Sequence, residues 1–406
     1  MALPAEVTQV ASALLELAGE VETNLQELEG VFRDHLIPNL RGSEDLLIGW
    51  IRELTPLGPG LRKDAQAFGR WFDATVDNTV GRGIFGLQYT TPRGIADLMV
   101  DLAAPQARDR IHDPCCGSGG LLAAALAWLG ECRKGSVPTS LSGQEATAEI
   151  AALAQLRLYL LGGRDVRVRP GDTLRHPLFV ENQQLEKFDV VLCNPPVGQR
   201  REFAPSDPYG RFKHGQPGRT STDIAFLQHA TACLNENGRA VMLIPHGPLF
   251  RGGADAKIRS GMVKEDLIDM VIGLPTGVLP GVSMEVAVVV CRCRKPDDRR
   301  GHVLFVDASD QSVAFRNADV RDIVHRLIGY EREEYDPKVA RLAPHSEIEA
   351  NGFSLQPRRY VRREEMAEPV DIEAALAKAS EYEKEAARQL MRMEELIDAL
   401  GRGLVG

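Results

Sequence analysis

The run Phe188-Asp189-Val190-Val191-Leu192-Cys193 ends in Asn194-Pro195-Pro196. A strand-like apolar run that stops on this tripeptide presents two rigid hydrogen-bond acceptors, the Asn194 amide oxygen and the Pro195 carbonyl. An exocyclic amino group carries two N–H donors and so asks for two acceptors. Pro195 and Pro196 hold φ at about −65° and have no backbone N–H, so the segment cannot fold back and satisfy itself. Taken alone, the tripeptide also fits a strand followed by a Pro-rich turn.

Three further stations lie upstream. Asp113-Pro114-Cys115-Cys116-Gly117-Ser118-Gly119-Gly120 stands between Arg110-Ile111-His112 and the apolar run from Leu121 to Leu126. It reads as a strand, a Gly-rich turn and a helix. Glycines let a ligand approach the backbone closely, and a helix start offers free N–H groups. No Lys-Ser/Thr pair follows the glycines, and the dinucleotide spacing fails after Gly119;. Leu141 to Glu145 ends in a carboxylate just before the helical run Ala148 to Leu161, where an acid can accept from both hydroxyls of a ribose;. Val166 to Arg169 is followed by Asp172, an acid placed to meet an adenine edge. Each acid by itself also fits a helix cap or a solvated turn. All four stations stand at the ends of expected strands, and open α/β sheets bind ligands at the carboxyl ends of their strands.

The elements that must carry these residues form a doubly wound α/β sheet. Expected strands are Arg110–Asp113, Ser140–Glu145, Val166–Arg169, Asp189–Cys193, Arg239–Ile244, Asp269–Leu274 and Glu285–Arg292. His302–Asp307 is expected as an added strand at an edge.

On these residues the chain resembles the adenine-N6 DNA methyltransferases, and most closely the modification subunit of type I restriction–modification systems. Asp113 to Gly120 is similar to that family's S-adenosylmethionine (SAM) loop, and Asn194-Pro195-Pro196 to its catalytic motif. Gln88-Tyr89-Thr90-Thr91-Pro92-Arg93 resembles the segment that contacts the methionine end of SAM. Longer matches run from Arg211-Phe212-Lys213 through Asp223 to His229, then Leu249 to Ala254, Ile272 to Pro275, Phe305 to Ser309, and Asn351 toward Val361. The resemblance covers roughly Gly83 to Val361 and implies a Rossmann-like methyltransferase sheet with its last strand antiparallel. It implies catalysis by Asn194, Pro195 and Pro196. Cofactor contacts are expected at Tyr89, Thr90, Thr91, Asp113, Cys116, Gly117, Ser118, Gly119, Glu145 and Asp172. Cys115 and Cys116 are expected to pack as small apolar residues, with no nucleophilic role;.

The implied reaction is direct methyl transfer to the adenine amino nitrogen. Two acceptors holding the amine protons favour a pyramidal nitrogen with its lone pair aimed at the methyl group. The gain comes from alignment and from charge stabilisation in a closed pocket. Where the family places an aromatic residue after Asn-Pro-Pro, this chain has Val197. Base–aromatic stacking contributes about 1–3 kcal/mol, and extruding a paired base costs a few kcal/mol. Valine offers an apolar wall without a π-face. Phe203, Tyr209 and Phe212 lie downstream as candidate substitutes, and Val197, Arg211 and Phe212 are taken as substrate-side positions. Val197 also keeps open a second reading, a SAM-binding relative that has lost catalysis and serves a defence or assembly complex. A third is methylation of another amino group, on a protein glutamine or a small molecule.

Composition fits a chain that shares its DNA contacts. The 406 residues carry a net charge of −9, with 44% hydrophobic and 26% charged residues. A chain that gripped DNA alone would usually show a basic face. Either a partner supplies much of the contact, or the positive residues act locally. Arg200, Arg201, Arg211, Lys213 and Arg219 form one such stretch, and Arg251, Lys257 and Arg259 another. Both read equally as phosphate contacts or solvated loops. Seven cysteines without zinc-ligand spacing suggest reduced thiols and a cytoplasmic protein, with no metal expected;. No run is apolar and long enough for a membrane span, and no signal pattern opens the chain;.

Residues 1–80 are expected to form an N-terminal helical domain, 81–365 the catalytic domain, and 366–406 a C-terminal helix. In that last segment Ile372, Leu376, Ala379, Ala386, Leu390, Met393, Ile397 and Leu400 follow an alternating three–four spacing interrupted at Glu383. The spacing reads as a coiled-coil seam or as a helix packed on its own domain. The resemblance implies DNA, a specificity subunit docked at this end, and a restriction subunit as partners.

Overall fold

A computed structural model describes residues 91–132, 140–204, 206–220, 222–279, 284–309 and 339–361, most of 69–77, and single positions between 380 and 391. The chain divides into two units, Met1–Arg362 and Arg363–Gly406. In the second unit the described positions, Ser380, Glu381, Lys384, Arg388, Gln389 and Met391, are helical and exposed. The expected seam residues, and almost all of the expected N-terminal domain, lie outside the described residues. No helix among those described is long and apolar enough to cross a membrane.

Among the described residues the first unit is built on a sheet of nine strands. In chain order these are β1 Arg110–Asp113, β2 Ser140–Glu145, β3 Asp165–Pro170, β6 Phe188–Cys193, β7 Leu234–Pro245, β8 Ile268–Gly273, β9 Val286–Arg292, β10 His302–Asp307 and β11 Ala340–Pro344. A separate hairpin, β4 Val180–Glu181 and β5 Gln184–Leu185, precedes β6. The spatial order is β11-β10-β8-β9-β7-β6-β1-β2-β3. Neighbours from β3 through β7 pair in parallel. As the resemblance implied, β9 runs antiparallel, and it lies between β7 and β8.

One expectation needs correction. His302–Asp307 is not the edge strand, because β11 pairs antiparallel along its outer side. An edge suits β11, which ends on Pro344, a residue with no N–H to donate to a further neighbour;.

Helices cover both faces of the sheet, which is why the central strands read as continuous apolar runs. Alternate residues of β7 separate the two cores: Val241 and Leu243 join one, Ala240, Met242 and Ile244 the other. The first core holds α1 (Arg93–Ala103) and α2 (Gly120–Cys132), and α2 has apolar residues on nearly every side. The second core holds α4 (Thr222–Ala232) and α6 (Ala254–Lys264). Between them in chain order come α3 (Ala148–Leu160), after β2, and the short α5 (Gly247–Phe250), after β7.

The chain winds outward from β1 in both directions, to β2 and β3 on one side and to β6 and β7 on the other. This switch point leaves a crevice above the carboxyl ends of β1 and β6.

Candidate active site

Register places the two principal motifs side by side. Ile111 pairs with Val190 and His112 with Val191, so Asp113 and the chain after Cys193 leave the sheet at the same edge. A small cleft, continuous with solvent, opens there. Its lining includes Thr91, Asp113, Cys116, Gly117, Ser118 and Asn194, six residues expected at the site. Asp77, Cys115, Gly120 and Leu121 complete it among the described residues. Tyr89 and Thr90 lie outside the described residues.

Asp113 is buried to 1% exposure at the base of the cleft. Its Oδ1 accepts the Cys115 N–H at 3.0 Å. Burial pushes its pKa up to about 7, with the Glu145 carboxylate adding to the rise and the Cys115 contacts opposing it. A carboxyl so placed is ready to ionise beside an incoming cation. His112, next to it, stacks on Phe188 at 4.4 Å and has its pKa lowered to about 3, chiefly by burial. It is a neutral core residue.

The Gly-rich turn needs its glycines for different reasons. Gly117 has φ +52° with open space where a Cβ would sit, and Gly119 has φ +83° with its would-be Cβ 3.3 Å from that of Ala154. Glu145 is bonded to this turn. Its Oε2 accepts the Gly117 N–H at 3.1 Å and its Oε1 the Thr147 N–H at 2.9 Å. Each carboxylate oxygen retains a lone pair for a hydroxyl.

Asn194 is half-buried, and its Nδ2 donates to Thr91 Oγ1 at 2.8 Å. Pro195 is buried, Pro196 and Val197 are half-buried, and the chain turns at Gly198 with φ +69°. No aromatic ring occupies the position after the tripeptide.

Other expected residues stand apart from the cleft lining. Asp172 caps its own turn, its Oδ1 accepting the N–H groups of Leu174 at 3.1 Å and Arg175 at 3.2 Å. Its Oδ2 pairs with Arg201 at 2.6 Å. Arg211 is turned into the fold at 5% exposure. Its guanidinium binds Asp207 at 2.9 Å and the carbonyls of Thr173 and Leu174 at 2.9 and 3.0 Å, so its donors are committed internally rather than to a phosphate. Phe212 packs partly buried, edge-on to Phe203 at 5.6 Å. Lys213 pairs with Glu265, and Arg219 with Glu202.

Two features were missed in the sequence. Arg157 of α3 is buried to 1%, with Nη2 2.7 Å from Asp73 and 2.6 Å from Asp77. Its Nη1 also reaches Ser118 of the turn, at 3.4 Å to both the carbonyl and the hydroxyl. The second is a thiol pair at the cleft, Cys115 Sγ lying 3.4 Å from Cys193 Sγ. Burial raises the pKa of both thiols. Their sequence separation of 78 residues hid the pair.

Comparison with known proteins gives the same picture. The family described as N-6 DNA Methylase matches residues 66–369. The chain is 27% identical over 361 residues to the type I restriction enzyme MjaIX methylase subunit of Methanocaldococcus jannaschii, covering 83% of this chain and 63% of that protein. It is 28% identical over 311 residues to the MjaVII methylase subunit of the same organism, covering 72% and 52%. Among solved structures it is similar to the type I restriction-modification system methyltransferase subunit from Streptococcus thermophilus, with 27% identity, a TM-score of 0.58, and 68% and 60% of the two chains covered. The chain thus spans between 52% and 63% of the length of these curated relatives.

Proposed function

The chain belongs to the N-6 DNA methylase family, and we propose that it transfers a methyl group from SAM to the N6 amino group of adenine in DNA, as the modification subunit of a type I restriction–modification system. The observation that carries this reading is the single cleft in which Asp113, the Gly117 turn, Thr91 and Asn194 meet.

The residues present fit the cofactor. A buried carboxyl with a pKa near neutrality, Asp113, faces a cleft where a cationic ligand would rest. Gly117 leaves the space of a side chain open beside it. Asp113, Cys116, Gly117, Ser118 and Gly119 would hold SAM, with Glu145 for its ribose and Asp172 toward its adenine. Bound SAM supplies a methyl group on a sulfonium, already a strong electrophile. Asn194 Oδ1 and the Pro195 carbonyl would accept hydrogen bonds from the two N–H groups of the target amine and turn its lone pair toward the methyl. The rigid Pro195-Pro196 backbone keeps those acceptors from moving as charge develops on the nitrogen. Val197 forms an apolar wall for the base.

A net charge of −9 and the inward-turned Arg211 support a division of labour in which a partner supplies much of the DNA contact. The curated relatives' names as methylase subunits support such a partnership. The segment 366–406 is the proposed docking element for a specificity subunit, with a restriction subunit as a further partner.

The test uses labelled SAM, DNA and purified protein, with and without the specificity subunit. Label on adenine N6 is expected. Asn194→Ala is expected to lose transfer and keep SAM binding. Equal turnover in that variant and the wild type would remove Asn194 from the chemistry, and label absent from DNA in every combination would overturn the proposal.

A further inference from the structure

We propose that Thr91 is a positioning residue for Asn194, fixing which end of its carboxamide faces the target amine. This inference rests on the methyl-transfer reading above. A side-chain amide has an accepting end and a donating end, and only the oxygen can receive an amine proton. The terminal torsion of asparagine is broad and roughly two-fold, so a free side chain presents either end. Turned the wrong way, Asn194 would set its own N–H groups against those of the substrate.

The structure supplies a hold on this torsion: a hydroxyl can donate as well as accept, and in the observed state that of Thr91 accepts;. Thr91 Oγ1 accepts from Asn194 Nδ2 at 2.8 Å. Among the described residues this is the one hydrogen bond to the Asn194 side chain, both residues line the cleft, and Oδ1 is left uncommitted for an amine N–H. Thr91 is itself held firmly. It precedes Pro92, which restricts it to extended backbone, and its own branched side chain is stiff at χ1. Pro92 caps α1, its carbonyl accepting the N–H groups of Ile95 and Ala96 at 2.9 Å each. The lock is thus anchored on a helix of the first core, 103 residues away in sequence from the asparagine it holds. This assigns Thr91 a task distinct from touching the cofactor.

The experiment compares wild type, Thr91→Val and Thr91→Ser. Valine keeps the shape and removes the acceptor, while serine keeps the acceptor. One lost hydrogen bond of about 1–1.5 kcal/mol corresponds to roughly a tenfold effect. The expected result is a kcat about tenfold lower in Thr91→Val, SAM affinity and KM for DNA within about twofold of wild type, and recovery of most turnover in Thr91→Ser. A Thr91→Val enzyme with normal kcat, or one whose loss lies wholly in SAM affinity, overturns the proposal. A second readout is independent of activity: the side-chain NH₂ signal of Asn194 in NMR, identified by its disappearance in Asn194→Ala. It is expected to shift and exchange faster in Thr91→Val and to stay in place in Thr91→Ser. An unmoved signal in Thr91→Val overturns the lock even if wild type methylates no DNA, an outcome that would sink the parent reading separately.

Discussion

Arg201 reaches from the loop after Asn194-Pro195-Pro196 to Asp172, closing an ion pair of 2.6 Å between Nη1 and Oδ2. The pair joins the substrate-side loop to the acid expected at the cofactor's adenine. Both side chains are partly exposed, so the pair is modest in energy;. An adenine contact at Asp172 has to share or displace that guanidinium. Arg201→Ala is therefore expected to tighten SAM binding by up to about fivefold, from the roughly 0.2–1 kcal/mol of a partly exposed pair. Calorimetric titration checks it, and weaker binding in the variant would show that Arg201 holds Asp172 in place for the cofactor.

A pH dependence follows from Asp113. Its folded-state pKa is raised to about 7, mainly by burial, against an ordinary value of 3.8. The folded chain thus holds a proton that the unfolded chain has lost. The contribution of this group to stability is complete below the ordinary value and is lost as pH rises through about 7. A bound cation reverses the preference and favours the ionised carboxylate. SAM affinity is expected to climb with pH up to about 7 and then level. Asp113→Asn should bind more weakly and with no such climb. A flat wild-type profile across that range would mean that Asp113 does not sense the ligand's charge.

Gly143, inside β2, packs closely against the Gly-rich turn. A Cβ at this position would lie 2.8 Å from Cys116 Sγ and 3.3 Å from Leu122 Cδ1. Gly143→Ala is expected to push the turn and to cost about 1–3 kcal/mol of stability through overpacking. SAM binding should weaken although residue 143 is not among the residues lining the cleft. Denaturant unfolding and a binding titration read the two effects, and unchanged affinity would mean that the turn relaxes around the added methyl.

Val197 offers a gain of function. It is half-buried in a turn just after the acceptor pair. Val197→Tyr is expected to raise kcat/KM for DNA by roughly fivefold to a hundredfold, from about 1–3 kcal/mol of base stacking. Lower activity in this variant would indicate that another surface already grips the base and that tyrosine crowds it.

The sheet was largely legible because its strands bury both faces. β1 and β2 fall on the expected residues, and the other central strands shift by a residue or so at their ends. β7 begins earlier than expected, at Leu234, because Asn235, Glu236, Asn237 and Gly238 carry the composition of a turn within a strand. The hairpin of β4 and β5 was missed because its turn uses Asn182 and Gln183 at φ +49° and +63°, without the glycine that usually marks such a bend;. β11 mixes Arg341 with apolar residues over only five positions, too short a pattern to announce itself. At the site, motifs local in sequence were readable. What escaped were pairings over long separations, such as Arg157 with Asp73 across 84 residues. Arg211 misled for a related reason: a basic residue in a Gly/Pro-rich loop gives no hint that carbonyls elsewhere will claim it.

That Arg157 guanidinium, clasping the 69–77 segment with one side and Ser118 with the other, has a wider consequence. It ties Asp73 and Asp77 of the upstream chain to Ser118 of the Gly-rich turn. Reciprocity of coupled equilibria then requires that a binder restraining the first change ligand affinity at the second by the same factor as the ligand changes the binder's affinity. A ligand affinity indifferent to a binder clamped upstream would deny that coupling. One end of the tie, Asp77, itself lines the cleft, on a stretch of chain that no motif marks.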